Sequence, residues 1–462
     1  MANESKPLSR RDFLKDTGRV SAMSALAMTT GIPAVHAAGS DLIRVAFVGC
    51  GGRGTGAAAQ ALSTKTGPIK IVAMADAFAD RLQSSYDNLS KSEVADKVDV
   101  PIERRFIGWD AYKKAMDCLK PGDVVILTTP PAFRWVHFTY AIQKGLNVFM
   151  EKPVTVDGPT SVRMLKLGEE ASAKNLKVGV GLMSRHYKPL EELHDRIQNG
   201  ELGEILMMRG YRMHGPGGSF ESTPKPANIS DLDYQVRRFH SFIWASGGNY
   251  NDFYIHHIDH LSWMKNAWPV KAQALGGRHY KTNDQGVPWV DQNFDTYSVE
   301  YTFADGSKFF FDGRCMNGAQ GIYSSYVHGT KGVAIAARHN DYNGPAAIYR
   351  GQNVDESKAI WTSTVDNNPY QTEWDLLISA IRNDKPYNEV KRGVEASVAT
   401  SLGRMAAHTG QEVTFEQMLN CPREYAPGLD KLTADTPAPL LPDAKGFYPK
   451  PQPGRLDPLM EY

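Results

Sequence analysis

The sequence predicts an α/β protein whose N-terminal part is a doubly wound parallel sheet. Two observations predict it: an apolar run, Leu42 to Val48, ends in a glycine-rich turn, and strand-like and helix-like segments then alternate as far as Met150. Such a sheet places its ligand crevice at the C-terminal ends of its strands. The whole chain has 462 residues, roughly three domains' worth. Its 42% hydrophobic and 22% charged residues are an ordinary globular mix. A formal net charge of +1 gives no field that would gather nucleic acid or anionic membrane, so the expected partner is a small molecule. The four cysteines, Cys50, Cys118, Cys315 and Cys421, form no CxxC pair, which argues against a zinc ribbon or a disulfide framework.

Residues 1–38 stand apart from the fold. Ser9 to Lys15 carries Arg10-Arg11, a modestly apolar run from Val20 to Val35 follows, and Val35-His36-Ala37-Ala38 ends in small residues of the kind a signal peptidase cuts after. This is a twin-arginine export pattern, and the expected location is the periplasm. The apolar run is too short to span a bilayer. Because this route carries proteins already folded, the leader hints at a cofactor loaded before export.

The first strand leads into Gly49-Cys50-Gly51-Gly52-Arg53-Gly54, a GxGxxG turn. Gly49 suits a tight turn, Gly51 a close approach of main-chain N–H groups to a pyrophosphate, and Gly54 close packing of the following helix, Thr55 to Leu62. Gly52 and Arg53 complete the candidate phosphate cradle at a helix N-terminus. A second strand, Ile69 to Ala75, ends at Asp76, 22 residues beyond Gly54, where a carboxylate can accept from ribose hydroxyls. That charge repels a 2′-phosphate and favours NAD. Arg81 lies close enough to reverse the preference, so NADP stays open. Asp76 as the N-cap of the next helix is the alternative.

The third strand candidate, Asp123 to Thr129, breaks at Pro130-Pro131, which places Thr129 and Pro130 at the crevice. The helix Trp135 to Gln143 then leads into the strand Asn147 to Met150. Glu151-Lys152-Pro153 stands at that strand's end, where Lys152 can point its ammonium into the crevice. A solvated lysine paired with Glu151 is the competing interpretation.

A Gly-rich first turn, an Asp-ended second strand and Glu-Lys-Pro about a hundred residues later resemble the Gfo/Idh/MocA oxidoreductases, which include glucose–fructose oxidoreductase and inositol dehydrogenases. Gly247 to Asp259 also fits their GGxxxDxxxHxxD pattern residue for residue. The resemblance implies a nicotinamide-binding Rossmann domain followed by an α+β domain with an open, mostly antiparallel sheet. The runs Gln273 to Leu275, Asp295 to Phe303 and Ser307 to Asp312 suit that sheet. It implies Lys152, Asp252 and His256 as the catalytic trio, with Glu151 and Lys152 beside the cofactor. The expected divisions are 39–155 for the nucleotide domain, 156–421 for the substrate and oligomerisation domain, and 422–462 for a separate tail.

The residues agree with those roles. Asp252 and His256 are four apart and share a helix face, so the carboxylate can hold the imidazole. An imidazole is suited to take the hydroxyl proton when a carbinol carbon is oxidised, and an ammonium at 152 would stabilise the alkoxide. His256, His257 and His260 also invite a metal, with Asp252 or Asp259. No glutamate stands where a zincin needs one, and no metal is expected. Arg185 and His186, before the helix beginning at Pro189, and Tyr211 and Trp244 are further candidates for a sugar or cyclitol site.

The segments Thr372 to Arg382 and Val390 to His408 read as helices with apolar faces, and the resemblance implies that they return to pack against the nucleotide domain. Residues 422–462 hold 9 of the 27 prolines and should run extended. The tail's aromatic anchors favour an arm embracing a neighbouring subunit over one wrapped on its own chain, in a homo-oligomer such as a dimer or tetramer. Three functions remain: a dehydrogenase acting on a secondary hydroxyl of a sugar, cyclitol or glycoside, a redox-assisted glycoside hydrolase, and a non-catalytic sugar-binding protein. Scarce free NAD in the periplasm implies a cofactor held through turnover or regenerated by a second substrate.

Overall fold

Apart from a short edge strand at Arg105–Ile107, the strands that begin the chain are apolar runs buried nearly throughout, as a sheet covered on both faces requires. In this computed structural model, which describes residues 42–338, 344–364, 367–455 and 460–462, they are β1 (Ile43–Val48), β2 (Ile69–Asp76), β3 (Arg105–Ile107), β4 (Val124–Leu127), β5 (Asn147–Met150) and β6 (Val178–Val180). All pair in parallel, in the order β3-β2-β1-β4-β5-β6. The twin-arginine segment lies outside the described residues.

Alternation along β1 explains the layers. Val45 and Phe47 join a core with Ala57, Ala58 and Ala61 of the helix Gly52–Leu62, whereas Ala46 and Val48 join one with Phe138 and Ile142 of the helix Arg134–Gln143. The helix Pro369–Arg382 returns to the first of these cores, where the Trp374 ring stacks on Phe149 of β5 at 4.3 Å between centroids. The sixth strand corrects the boundary expected at residue 155. The crossover helix Gly158–Ala173 brings the chain back to the sheet edge, so the first sheet closes only at Val180.

The second sheet has nine strands: β7 (Ile205–His214), β8 (Lys271–Gly277), β9 (Thr296–Thr302), β10 (Lys308–Cys315), β11 (Ile322–Gly329), β12 (Gly332–Ala337), β13 (Ala347–Arg350), β14 (Ala359–Thr362) and β15 (Val413–Thr414). Their order is β14-β13-β12-β11-β7-β10-β9-β8-β15, antiparallel throughout except for β7 against β10. Alternate residues of β9 and β10, among them Val299, Tyr301, Phe309 and Phe311, are buried. The helices Gly248–Lys265 and Val390–Thr409 cover that face, and every described side of the second helix except its first turn is enclosed. No helix among the described residues is long and apolar enough to cross a membrane.

The tail is extended, as its prolines require, but it lies on its own chain. Tyr448 packs edge-on against Phe242, and the Pro449 carbonyl accepts from Gln292 Nε2 at 2.7 Å. Glu461 is wholly buried against Arg404 at 2.8 Å, with His408 on its other oxygen at 2.9 Å. The expectation of an arm laid on a neighbouring subunit is corrected accordingly: the buried Arg404 supplies a docking charge within the same chain, which local sequence did not reveal.

Candidate active site

The Gly-rich turn works as its spacing suggests. Gly49 adopts φ +98°, and a Cβ there would meet the Thr128 and Thr129 backbone at 2.6 Å. At Gly54 a Cβ would lie 2.3 Å from the Gly49 carbonyl, so helix and strand touch only because both residues are bare. At Gly51 and Gly52 a Cβ would meet nothing within 4 Å. Both border a cavity of about 730 Å³ at the C-terminal ends of the first sheet. The helix that starts there has Gly51 as N-cap, no side-chain cap and no acidic residue in its first turn, so its leading N–H groups are left for an anion.

Asp76 lies at the end of β2 on the same cavity. Its carboxylate accepts from the N–H of Cys50 at 2.7 Å and of Phe78 at 2.9 Å. Burial outweighs those two bonds and raises its pKa, which suits a group awaiting further donors such as ribose hydroxyls. Arg81 donates instead to the Arg237 carbonyl at 2.9 Å. Thr129, Pro130, Glu151 and Lys152 also line the cavity. Arg53 borders it too, but its guanidinium is engaged with Glu151 at 2.7 Å and Glu373 at 3.3 Å. The main chain of Arg53, more than its charge, is thus what the turn offers to a phosphate.

The second domain meets this crevice through the helix Gly248–Lys265. Gly247 and Gly248 both have positive φ, and a Cβ on Gly247 would lie 2.6 Å from Asn251 and 2.7 Å from Arg404. The paired glycines let the chain turn sharply into the helix and present Asp252 one turn later. Lys152 Nζ donates to the Asp252 main-chain oxygen at 2.6 Å and lies 3.7 Å from its Oδ1. Burial would raise the Asp252 pKa, but Lys152 and His240 outweigh it and hold the carboxyl well below its usual range.

His256 lies one turn beyond Asp252 on the same helix and is not among the residues that line the cavity. Its Nδ1 is buried without a hydrogen-bond partner, and burial, with the cations Lys152 and Arg212, pushes its pKa well below the ordinary value. The imidazole is neutral near neutral pH and can accept a proton. The expectation that Asp252 holds His256 is corrected: the Asp252 Oδ2 lies 3.2 Å from His240 Nε2. His240, which the sequence did not single out, occupies the short turn Phe239–Ser241 and lines the cavity with Lys152 and Asp252.

Four further candidates are placed elsewhere. Arg185 is clamped by Asp259, with Nη2 2.8 Å from Oδ1 and Nε 3.0 Å from Oδ2, and the partner is wholly buried. His186 is buried against Glu389 at 3.2 Å. Trp244 is fully enclosed, and its Nε1–H donates to Gln235 at 2.7 Å. Tyr211 lies on the other face of β7: its neighbour Gly210 meets Leu261 of the Asp252 helix, so alternation turns Tyr211 away, beside Tyr326. Except for Trp244 with Gln235, nine positions apart, these contacts are made by residues distant in sequence. Among the described residues no group of three His, Cys, Asp or Glu side chains is placed to hold a metal.

Residues 43–182 match the oxidoreductase family GFO_IDH_MocA, described as an NAD-binding Rossmann fold. The matched segment is the parallel sheet β1–β6 with the helices between its strands. An inositol 2-dehydrogenase of Corynebacterium glutamicum (strain R) is 26% identical over 208 residues, which are 45% of this chain and 55% of that protein. The chain spans about half the length, 40% and 55%, of the first curated relatives it matches. Among solved structures, aldose-aldose oxidoreductase from Caulobacter crescentus, complexed with glycerol, shares the fold with a TM-score of 0.60 at 15% identity, covering 81% of this chain and 100% of that one. A scyllo-inositol dehydrogenase from Lactobacillus casei, with bound NAD(H) and scyllo-inositol, shares it with a TM-score of 0.57 at 18% identity, covering 81% and 99%. Both share this chain's fold over most of its length.

Proposed function

We propose that the protein is an NAD-dependent dehydrogenase or reductase acting on a secondary hydroxyl or ketone of a cyclitol or sugar. The observation that carries this reading is the meeting of Lys152, from the end of β5, with Asp252, from the second domain, on the cavity of the Gly-rich turn. Bound nicotinamide dinucleotide supplies the hydride acceptor or donor. The glycine turn and the free helix N–H groups hold its pyrophosphate, and Asp76 accepts from its ribose. Lys152 stabilises the alkoxide electrostatically. His256 takes the hydroxyl proton on oxidation and returns it on reduction, and Asp252 holds Lys152 in place.

Inositol dehydrogenases among the relatives favour cyclitols as the first substrates to try. Export by the twin-arginine route and assembly as a homo-oligomer belong to the same proposal. So does a cofactor retained through turnover, supported by Leu429, Asp430 and Leu432 of the tail, which line the cavity far from the glycine turn in sequence. The test offers the purified protein NAD, NADP and a panel of cyclitols, sugars and glycosides, and follows net reduced nicotinamide alongside aglycone release. Net reduction without release supports the proposal. Release without net reduction supports the glycoside hydrolase, and dinucleotide binding with neither product rules against a dehydrogenase of these substrates.

A further inference from the structure

We propose that His240 is a positioning residue of this site, which donates its Nε2 proton to Asp252 and fixes the carboxylate that holds Lys152. The proposal rests on the dehydrogenase reading above. His240 Nδ1 lies 3.2 Å from the Ser219 main-chain N and 3.1 Å from its Oγ. A main-chain N–H can only donate, so Nδ1 is an acceptor and the ring proton sits on Nε2. That proton faces Asp252 Oδ2 across 3.2 Å.

Aromatic side chains flank the ring. Phe239 lies against it at 3.8 Å between centroids, and Phe220 and Phe253 close its edges at 5.6 and 5.8 Å. Gly218, at φ +56°, leaves the space the imidazole fills: a Cβ there would stand 2.6 Å from the ring. With both nitrogens engaged, His240 has no lone pair to offer a substrate hydroxyl.

The consequence falls on Asp252, whose carboxylate would otherwise rotate about its terminal torsion. Pinning Oδ2 on His240 turns Oδ1 toward Lys152, so the ammonium is held by this oxygen and by the Asp252 main-chain carbonyl together. A chain of contacts, Ser219 to His240 to Asp252 to Lys152, thus crosses from the loop after β7 to the end of β5.

The test compares His240→Leu and His240→Gln with the wild type in the full-length protein. The substrate is the cyclitol or sugar the wild type oxidises fastest, and NADH affinity is read by energy transfer from tryptophan. The leucine variant is expected to lose about 10- to 100-fold in kcat, the size seen when a supporting hydrogen bond behind a reactive group is removed, with NADH affinity changed less than about twofold. Glutamine, which can donate from close to the Nε2 position, is expected to recover most of the loss. A leucine variant with wild-type kcat, or a glutamine variant as impaired as leucine with NADH binding intact, overturns the proposal. A reading independent of turnover comes from ¹⁵N-imidazole NMR of the wild type, with the glutamine variant assigning the His240 signals. A proton on Nε2 is expected, and a proton on Nδ1 overturns the proposal even if no variant folds. A wild type that reduces no dinucleotide counts against the dehydrogenase reading alone and leaves the NMR result to decide His240.

Discussion

Lys152 Nζ donates to the main-chain oxygen of Asp252, 100 residues away in sequence, at 2.6 Å. A carbonyl that cannot titrate thus anchors the ammonium, and the carboxylate adds charge at 3.7 Å. Lys152→Met keeps the length of the side chain and removes the charge. It is expected to lower kcat by at least about 10²-fold, the scale of losing one electrostatic donor, while NADH still binds. Steady-state kinetics with a fluorescence titration check this, and a kcat within a few-fold of wild type would remove Lys152 from the chemistry.

His256→Ala should lower turnover by about 10²-fold or more, the usual cost of losing a general base. The pH profile carries a second sign. Burial and the Lys152 and Arg212 cations depress the His256 pKa, while Asp252 opposes them. The acid limb of kcat/KM is therefore expected below the range of a free imidazole. Removing the charge at 152 should move that limb to higher pH, and Asp252→Asn should move it lower. Profiles of the two variants measured beside the wild type settle the order.

Asp76→Ala removes the acceptor at the ribose position and the repulsion of a 2′-phosphate together. NAD affinity should fall by about tenfold, on the scale of one charged hydrogen bond, and NADP affinity should fall less or rise. Parallel titrations with both dinucleotides give the ratio; an unchanged ratio places the ribose elsewhere.

Glu389 makes a stability prediction. Although burial opposes its ionisation, Arg392 and His186 hold its pKa down to about 2, against an ordinary value of 4.5. A depressed carboxyl stabilises the folded state above its unfolded pKa, and this contribution fades as pH falls from about 4.5 to about 2. The full effect is roughly 3 kcal/mol. Glu389→Gln should therefore unfold more easily at neutral pH and show a flatter loss of stability in acid, as followed by circular dichroism in urea at several pH values.

Glu461→Gln leaves Arg404 buried without its counter-charge. Breaking such a pair typically costs about 3–5 kcal/mol, so a clear fall in Tm is expected by calorimetry. An unchanged Tm would mean that the tail does not hold the enclosed arginine.

Much of the first domain was legible because it rests on local signals. The apolar runs of β1, β2 and β5 and the spacing of the glycines at 49, 51 and 54 are each contained in a short stretch of chain. The paired glycines before Asp252 are of the same kind. Arg185, His186 and Trp244 misled for the opposite reason: their partners Asp259, Glu389 and Gln235 are set by packing, and a polar group looks the same in sequence whether it faces a ligand or a buried side chain. Tyr211 misled because β7 gives little alternation of burial to show its faces. His240 and Ser219 lie in irregular chain between β7 and the helix Gly248–Lys265, where no periodicity marks a residue's surroundings. The nearest signal was a histidine amid aromatics twelve positions before Asp252.

The ion pair between Arg404 and Glu461 also imposes a timetable. The guanidinium is made 57 residues before the carboxylate that neutralises it, so during synthesis the helix Val390–Thr409 waits with an unpaired charge near its C-terminal end. Leu429 and Leu432, part of the wall around the dinucleotide crevice, belong to the stretch threaded between those two events. The crevice is therefore finished only after the stretch around residue 432 has been made and laid across it, and a dinucleotide can be enclosed no earlier than that.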